Sequence, residues 1–274
     1  MVEPMAKRSP KLRIVELADG VTLICGDCSD AFERVGAVDH TITDPPYEAT
    51  MHNAKQFARG KKVYKGSTRR IRTDGHTSPR PVTFNSIDGL RETVTAPIVA
   101  ATGGWFIAFC TPEGIAPWRD AIEGTGAKYK RACFWIKPDG APQFNGQGPS
   151  YAVEPFVSAW CGAGPSKWNG GGRANYFIHA TRNTDREGTH ETEKPLSLMT
   201  DLMVLFSNPG EIIFDPFMGS GTTGVAAVRS GRRFIGVEKD ERFFDVAVKR
   251  ISKTLRQPDF FVAVPKPKQT VFSL

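Results

Sequence analysis

The apolar residues of this 274-residue chain gather in short blocks closed by turn residues. Blocks of about four to eight such residues, bounded by Gly, Pro, Asp or Thr, read as buried strands. Seven stand out: Val21–Cys25, residues 38–43, 104–110 and 132–136, Val153–Trp160, and residues 211–215 and 233–237. Apolar positions at helical spacing fill the gaps and predict helices over residues 90–101, 112–123, 195–206, 222–230 and 240–256. The last opens on Asp240 and Glu241 and closes on Lys249, Arg250, Lys253 and Arg256, which suits the helix dipole. Its stripe of Phe244, Val248, Ile251 and Leu255 reads as a core face. Strands alternating with helices predict an α/β fold, with a mostly parallel seven-stranded sheet and helices on both faces.

Composition narrows the classes. The chain is 40% hydrophobic and 24% charged, which is ordinary for a globular protein. It has no apolar run of the roughly 18 residues a membrane helix needs. The first twenty residues lack the apolar stretch of a secretion signal. Five cysteines (Cys25, Cys28, Cys110, Cys133, Cys161) are too few and odd in number for a disulfide framework, so a cytoplasmic setting is expected. Cys25 and Cys28 have C-x-x-C spacing, but no partner pair at zinc-ligand spacing accompanies them. They read as one apolar residue closing a strand and another in the loop after it. The histidines show no H-E-x-x-H pattern, and no catalytic metal is expected.

Charge is uneven. The net charge is +7, yet residues 53–80 alone carry Lys55, Arg59, Lys61, Lys62, Lys65, Arg69, Arg70, Arg72 and Arg80 against one acid, Asp74. That stretch is at +8 and the remainder is close to neutral. Such a segment is either a solvated loop or an arm that meets a polyanion.

Two motifs carry chemistry. Residues 214–224 read F-D-P-F-M-G-S-G-T-T-G, after one strand and opening a helix, with Glu238 at the end of the next strand. Gly219, Gly221 and Gly224 match a nucleotide-binding turn, which could serve NAD, FAD or S-adenosylmethionine. Asp215 beside the turn would repel a pyrophosphate and suits a cationic sulfonium cofactor. The second motif, Asp44-Pro45-Pro46-Tyr47, follows the strand over residues 38–43. An exocyclic amine on a base is a poor nucleophile, because its lone pair is delocalised into the ring. Asp44 and the carbonyl of Pro45 could accept its two N–H hydrogens, the prolines would fix that backbone, and Tyr47 would offer a stacking face.

On these residues the chain resembles the S-adenosylmethionine-dependent DNA amino-methyltransferases, in the circularly permuted β class whose catalytic motif precedes the cofactor motif. Residues 44–47 resemble its catalytic tetrapeptide and residues 215–221 its cofactor motif. Residues 192–195 (T-E-K-P) resemble its T-x-K-P segment, and residues 26–28 its G-D-C segment. The resemblance implies a Rossmann-like methyltransferase fold over residues 14–256, followed by a C-terminal extension over 257–274. It implies S-adenosylmethionine as cofactor. Asp27 and Cys28 would lie near the adenine, and Asp215, Pro216, Phe217, Gly219, Ser220, Gly221 and Thr222 near the methionine portion. Glu238 would bind the ribose, and Lys194 and Pro195 would anchor the methionine end, with Lys194 facing its carboxylate. The target base would leave duplex DNA to reach Asp44, Pro45, Pro46 and Tyr47.

Aspartate at the head of the tetrapeptide favours adenine N6 over cytosine N4 within this family. Residues 53–88 would form a DNA-contacting loop. Residues 162–192 would be a short target-recognition segment, in which Lys167, Arg173 and Arg182 suit backbone contact, although a surface loop packed on its own aromatics has the same composition. The family also implies a restriction-modification setting, a homodimer by analogy, and a cytoplasmic, nucleoid-associated location without membrane or metal. Two other classes compete: a nicotinamide-dependent oxidoreductase, which leaves residues 44–47 without a role, and a non-catalytic DNA-binding module.

Overall fold

Alternation within the central strands explains the layering. In strand β4 (Trp105–Phe109) every residue is buried. Trp105, Ile107 and Phe109 enter one core layer, and Phe106 and Ala108 the other. A strand buried on both faces needs helices on both faces. The structure is a computed structural model that describes residues 12–48, 86–140, 148–181 and 193–257.

The strands are β1 (Arg13–Ala18), β2 (Val21–Cys25), β3 (His40–Thr43), β4, β5 (Lys128–Ile136), β6 (Val153–Trp160), β7 (Tyr176–Ile178), β8 (Ile212–Asp215) and β9 (Arg233–Glu238). They form one sheet in the order β1-β2-β9-β8-β3-β4-β6-β5-β7. Pairings from β2 through β4 are parallel, as is β5 with β7. β1 runs antiparallel to β2, and β6 antiparallel to both β4 and β5. Helices α1 (Cys28–Val35), α2 (Arg91–Ala101) and α3 (Ile115–Glu123) cover one face. Helices α4 (Leu196–Phe206), α5 (Thr222–Arg229) and α6 (Glu241–Leu255) cover the other. The stripe of Phe244 and Ile251 is fully buried there. None of the described helices is long and apolar enough to cross a membrane.

The sheet has nine strands among the described residues, not seven. β1 adds an edge through a two-residue turn at Asp19-Gly20, with Ala18 opposite Val21. β7 is three residues long and joins the far edge beside β5. One helix also goes beyond the sequence reading. Cys28 opens α1 instead of lying in a loop, because Asp27 caps the helix by accepting the Ser29 N–H at 2.9 Å. Cys25 and Cys28 are both buried with free thiols, and burial pushes Cys28 up to about 12. The basic stretch over 53–80 and residues 257–274 lie outside the described residues, apart from Gln257.

Candidate active site

Parallel strands in this order bring four sequence-distant acids to one edge. Asp27 follows β2, Glu238 closes β9, Asp215 closes β8 and Asp44 follows β3, on four adjacent strands. β6 runs the other way, so Glu154 near its start reaches the same edge, and Lys137 follows the end of β5 there. The permuted order is compatible with this sheet because β2 pairs directly with β9. Ligands in such sheets bind at this carboxyl edge.

The glycine turn is held by its neighbours. Gly219 and Gly221 have φ of +53° and +85°, a region that side-chain-bearing residues seldom adopt. A Cβ on Gly219 would meet nothing within 4 Å, so the turn faces open space there. The Gly219 N–H donates to Glu238 Oε2 at 2.9 Å, and Asp240 N–H to Glu238 Oε1 at 2.8 Å. Glu238 thus braces the turn from the position expected of a ribose ligand. Asp215 is buried behind buried Pro216 and half-buried Phe217. Its Oδ1 accepts the Thr43 hydroxyl at 2.7 Å and the Phe217 N–H at 3.1 Å. Burial pushes its carboxyl up to about 6.

Arg250 of α6 ties this turn to the segment before α4. Its guanidinium donates to Ser220 O at 2.8 Å, to Ser220 Oγ at 2.9 Å and to Thr222 Oγ1 at 3.3 Å. It also pairs with Glu193, which accepts the Thr222 hydroxyl at 2.8 Å. Buried Pro195 then caps α4.

The tetrapeptide lies next to this. Glu48 anchors it, accepting from Arg91 at 2.8 Å and from the Thr111 N–H at 3.1 Å. Asp44 Oδ2 receives Lys194 Nζ at 2.6 Å, and the same ammonium lies 2.9 Å from the Tyr47 hydroxyl and 2.8 Å from Glu154 Oε1. Tyr47 donates its hydroxyl to Glu154, and Lys137 Nζ reaches Glu154 Oε2 at 2.6 Å. Charges therefore alternate along Asp44, Lys194, Glu154 and Lys137. Burial alone would raise Glu154, but Lys194 and Lys137 bring it down to about 2. Burial raises Asp44 as well, with Lys194 opposing. Asp44 Oδ1 is buried and has no hydrogen-bond partner among the described residues.

Several expectations change here. Lys194 was expected to face a cofactor carboxylate, yet its ammonium is enclosed by Asp44, Tyr47 and Glu154. Lys167, expected to contact DNA, is exposed, and Trp105 at the start of β4 donates its indole N–H to the Lys167 carbonyl. Trp168 beside it packs on Phe206 at 4.8 Å between ring centroids. Lys167 thus sits at the opposite edge of the sheet from Asp44, beside Trp105 of β4, with Trp168 of its own segment packed on Phe206 of α4. Arg173 pairs with Asp201 at 3.5 Å and lies over the Phe177 ring. Lys55, Arg59, Lys61, Lys62, Lys65, Arg69, Arg70, Arg72 and Arg182 lie outside the described residues. Sequence reasoning missed Glu154, Lys137 and Arg250. Glu154 left a signal, as the one charged residue in a strand otherwise apolar but for Ser158.

Comparison with known proteins agrees with this layout. Residues 163–249 match the family model described as DNA methylase, of the N6/N4 type. The type II methyltransferase M.HinfI of Haemophilus influenzae is 40% identical over 80 residues, which are 28% of this chain and 22% of that enzyme. The type II methyltransferase M.Cfr9I of Citrobacter freundii is 24% identical over 90% of this chain and 95% of its own. Among solved structures, the M1.HpyAVI–SAM complex superimposes with a TM-score of 0.62 at 25% identity, over 84% of this chain and 98% of that one. The cytosine-N4-specific PvuII DNA methyltransferase reaches 0.59 at 14% identity over 85% and 90%, and so shares the fold. The chain is thus similar in sequence to the N6/N4 DNA methylases over residues 163–249, and similar in fold to DNA methyltransferases over most of its length.

Proposed function

We propose that the chain transfers the methyl group of S-adenosylmethionine to the exocyclic amine of a base flipped out of double-stranded DNA, with adenine N6 the favoured atom. The buried, unpartnered Asp44 Oδ1 carries this reading. It is an acceptor without a donor, at the head of a tetrapeptide suited to hold an amine. Accepting the amine's N–H hydrogens builds electron density on the nitrogen and draws its lone pair out of conjugation with the ring, and a fixed acceptor supplies that help. The Pro45 carbonyl is the second acceptor, and Tyr47 the stacking face.

The residues present fit the cofactor. The turn over residues 217–222 leaves open space at Gly219, and Asp215, Glu238 and Asp27 give the edge the negative charge that a sulfonium and an ammonium seek. When bound, the cofactor supplies an electrophilic methyl group. Asp215 and residues 217–222 would hold its methionine portion, Glu238 its ribose, and Asp27 and Cys28 its adenine. Cytosine N4 is the second reading, supported by the cytosine-specific PvuII neighbour. The remaining parts of the proposal are a homodimer and a cytoplasmic site of action on the nucleoid.

Incubating the protein with labelled S-adenosylmethionine and mixed genomic DNA, followed by nucleoside mass spectrometry, tests the reaction. N6-methyladenine is the expected product. N4-methylcytosine would replace the base and keep the chemistry, and no incorporation with DNA bound would favour a binding module. Asp44→Ala is expected to keep cofactor affinity and lower transfer by about a hundredfold or more.

A further inference from the structure

Lys194 has a chemistry that the cofactor reading does not use. Its side chain is 7% exposed, and its ammonium makes its contacts with Asp44, Tyr47 and Glu154. It also lies 4.9 Å from the centre of the Phe109 ring and 5.2 Å from that of Tyr47. A buried cation so enclosed has little left to offer a ligand. What it does is fill one oxygen of Asp44 and leave the other empty. We propose that Lys194 is the positioning residue of Asp44: its ammonium occupies Oδ2, fixes the carboxylate, and so leaves Oδ1 alone as the acceptor for the target amine. Glu154 holds Lys194 in place, and Lys137 neutralises Glu154.

The charge arithmetic supports this. The groups facing Asp44 are Lys194 from the segment before α4, Glu154 from β6, Tyr47 from its own loop, and Asp215 at the end of β8. Tyr151 and Lys137 lie behind Tyr47 and Glu154. Burial and Glu154 disfavour a negative Asp44, and Lys194 is the cation set against them. A protonated Asp44 could not accept a hydrogen bond at a protonated Oδ1, nor draw the amine as strongly. Without Lys194, protonation of Asp44 would persist to higher pH.

This inference rests on the methyl-transfer reading, so one of its tests does not. Carbon-13 titration of the Asp44 carboxyl, assigned with Asp44→Asn, reads its ionisation in the protein alone. In Lys194→Met the midpoint should rise by about one to two pH units, and in Lys194→Arg it should return towards the wild-type value. The acidic limb of kcat for methyl transfer should move up by the same amount in Lys194→Met. S-Adenosylmethionine affinity should stay within about threefold, since the ammonium is committed elsewhere. An unmoved Asp44 midpoint would overturn the proposal, as would a large loss of cofactor affinity with an unchanged pH limb, which is the pattern of a carboxylate anchor. If wild-type protein shows the Asp44 shift but no methyl transfer, the proposed function fails and the positioning role stands. If Lys194→Met does not fold, Lys194→Gln provides the same titration, and Glu154→Gln, which removes a neighbouring negative charge, should lower the Asp44 midpoint instead.

Discussion

Asp215 shows the conflict between stability and binding at the scale of one residue. It is 1% exposed and has no cation among its hydrogen-bond partners, which are the hydroxyls of Thr43 and Thr223 and the Phe217 N–H. With its carboxyl pushed up to about 6 in the folded state, the native protein holds a proton there that the unfolded chain gives up near pH 4. The penalty is therefore absent below about pH 4, grows as pH rises to 6, and is complete above that. Asp215→Asn keeps the acceptor and removes the charge. It should raise stability at pH 7 by roughly 2 kcal/mol, with the gain disappearing at pH 4. Thermal unfolding at the two pH values checks this. The same variant should bind S-adenosylmethionine at least about tenfold more weakly, because the buried charge is spent on a cationic ligand.

At the scale of the element, the glycine turn and α6 form one unit. A Cβ on Gly221 would lie 2.9 Å from Ala247 Cβ and 3.1 Å from its Cα, whereas one on Gly219 would meet nothing. Both glycines have positive φ, so both alanine variants carry the backbone cost of about 1–2 kcal/mol. Gly221→Ala must also push α6 away, adding about 1–3 kcal/mol. Denaturant midpoints should therefore fall clearly further for Gly221→Ala than for Gly219→Ala. The turn itself was legible because its glycines and the strand before it share one short stretch. Other elements were less so. α1 is eight residues long, and its stripe of Cys28, Ala31, Phe32 and Val35 is hidden by the C-x-x-C spacing that draws attention to Cys28. β1 exposes one face, so only Val15 and Leu17 mark it, and its best signal is the Asp19-Gly20 turn. β7 is too short to show alternation. Glu154 and Lys137 become a site only when antiparallel β6 and β5 carry them to the edge where β3 ends, which no local pattern encodes.

Over the whole molecule, charge is divided by task. The carboxyl edge gathers Asp27, Asp44, Glu154, Asp215 and Glu238 against Lys194 and Lys137, a balance that suits a cationic ligand better than a phosphate. Contact with a polyanion must then be supplied by basic residues of other segments, and residues 53–80 at +8 are the richest source in the chain. Replacing Arg69, Arg70 and Arg72 with alanine is expected to weaken duplex DNA binding roughly tenfold or more, with S-adenosylmethionine affinity unchanged. Gel-shift and calorimetric titrations separate the two, and an unaltered DNA affinity would remove the arm from the interface. The alternating row from Asp44 to Lys137 has a different consequence. It contains as many positive as negative charges, and its two central members are 7% and 6% exposed, so dissolved ions have little way in. Screening acts on charges that ions can surround, over about 8 Å at physiological ionic strength. The chemical step should therefore be nearly indifferent to potassium chloride while DNA capture is not, and on saturating DNA the turnover number would stay level across a salt series that lowers affinity many-fold.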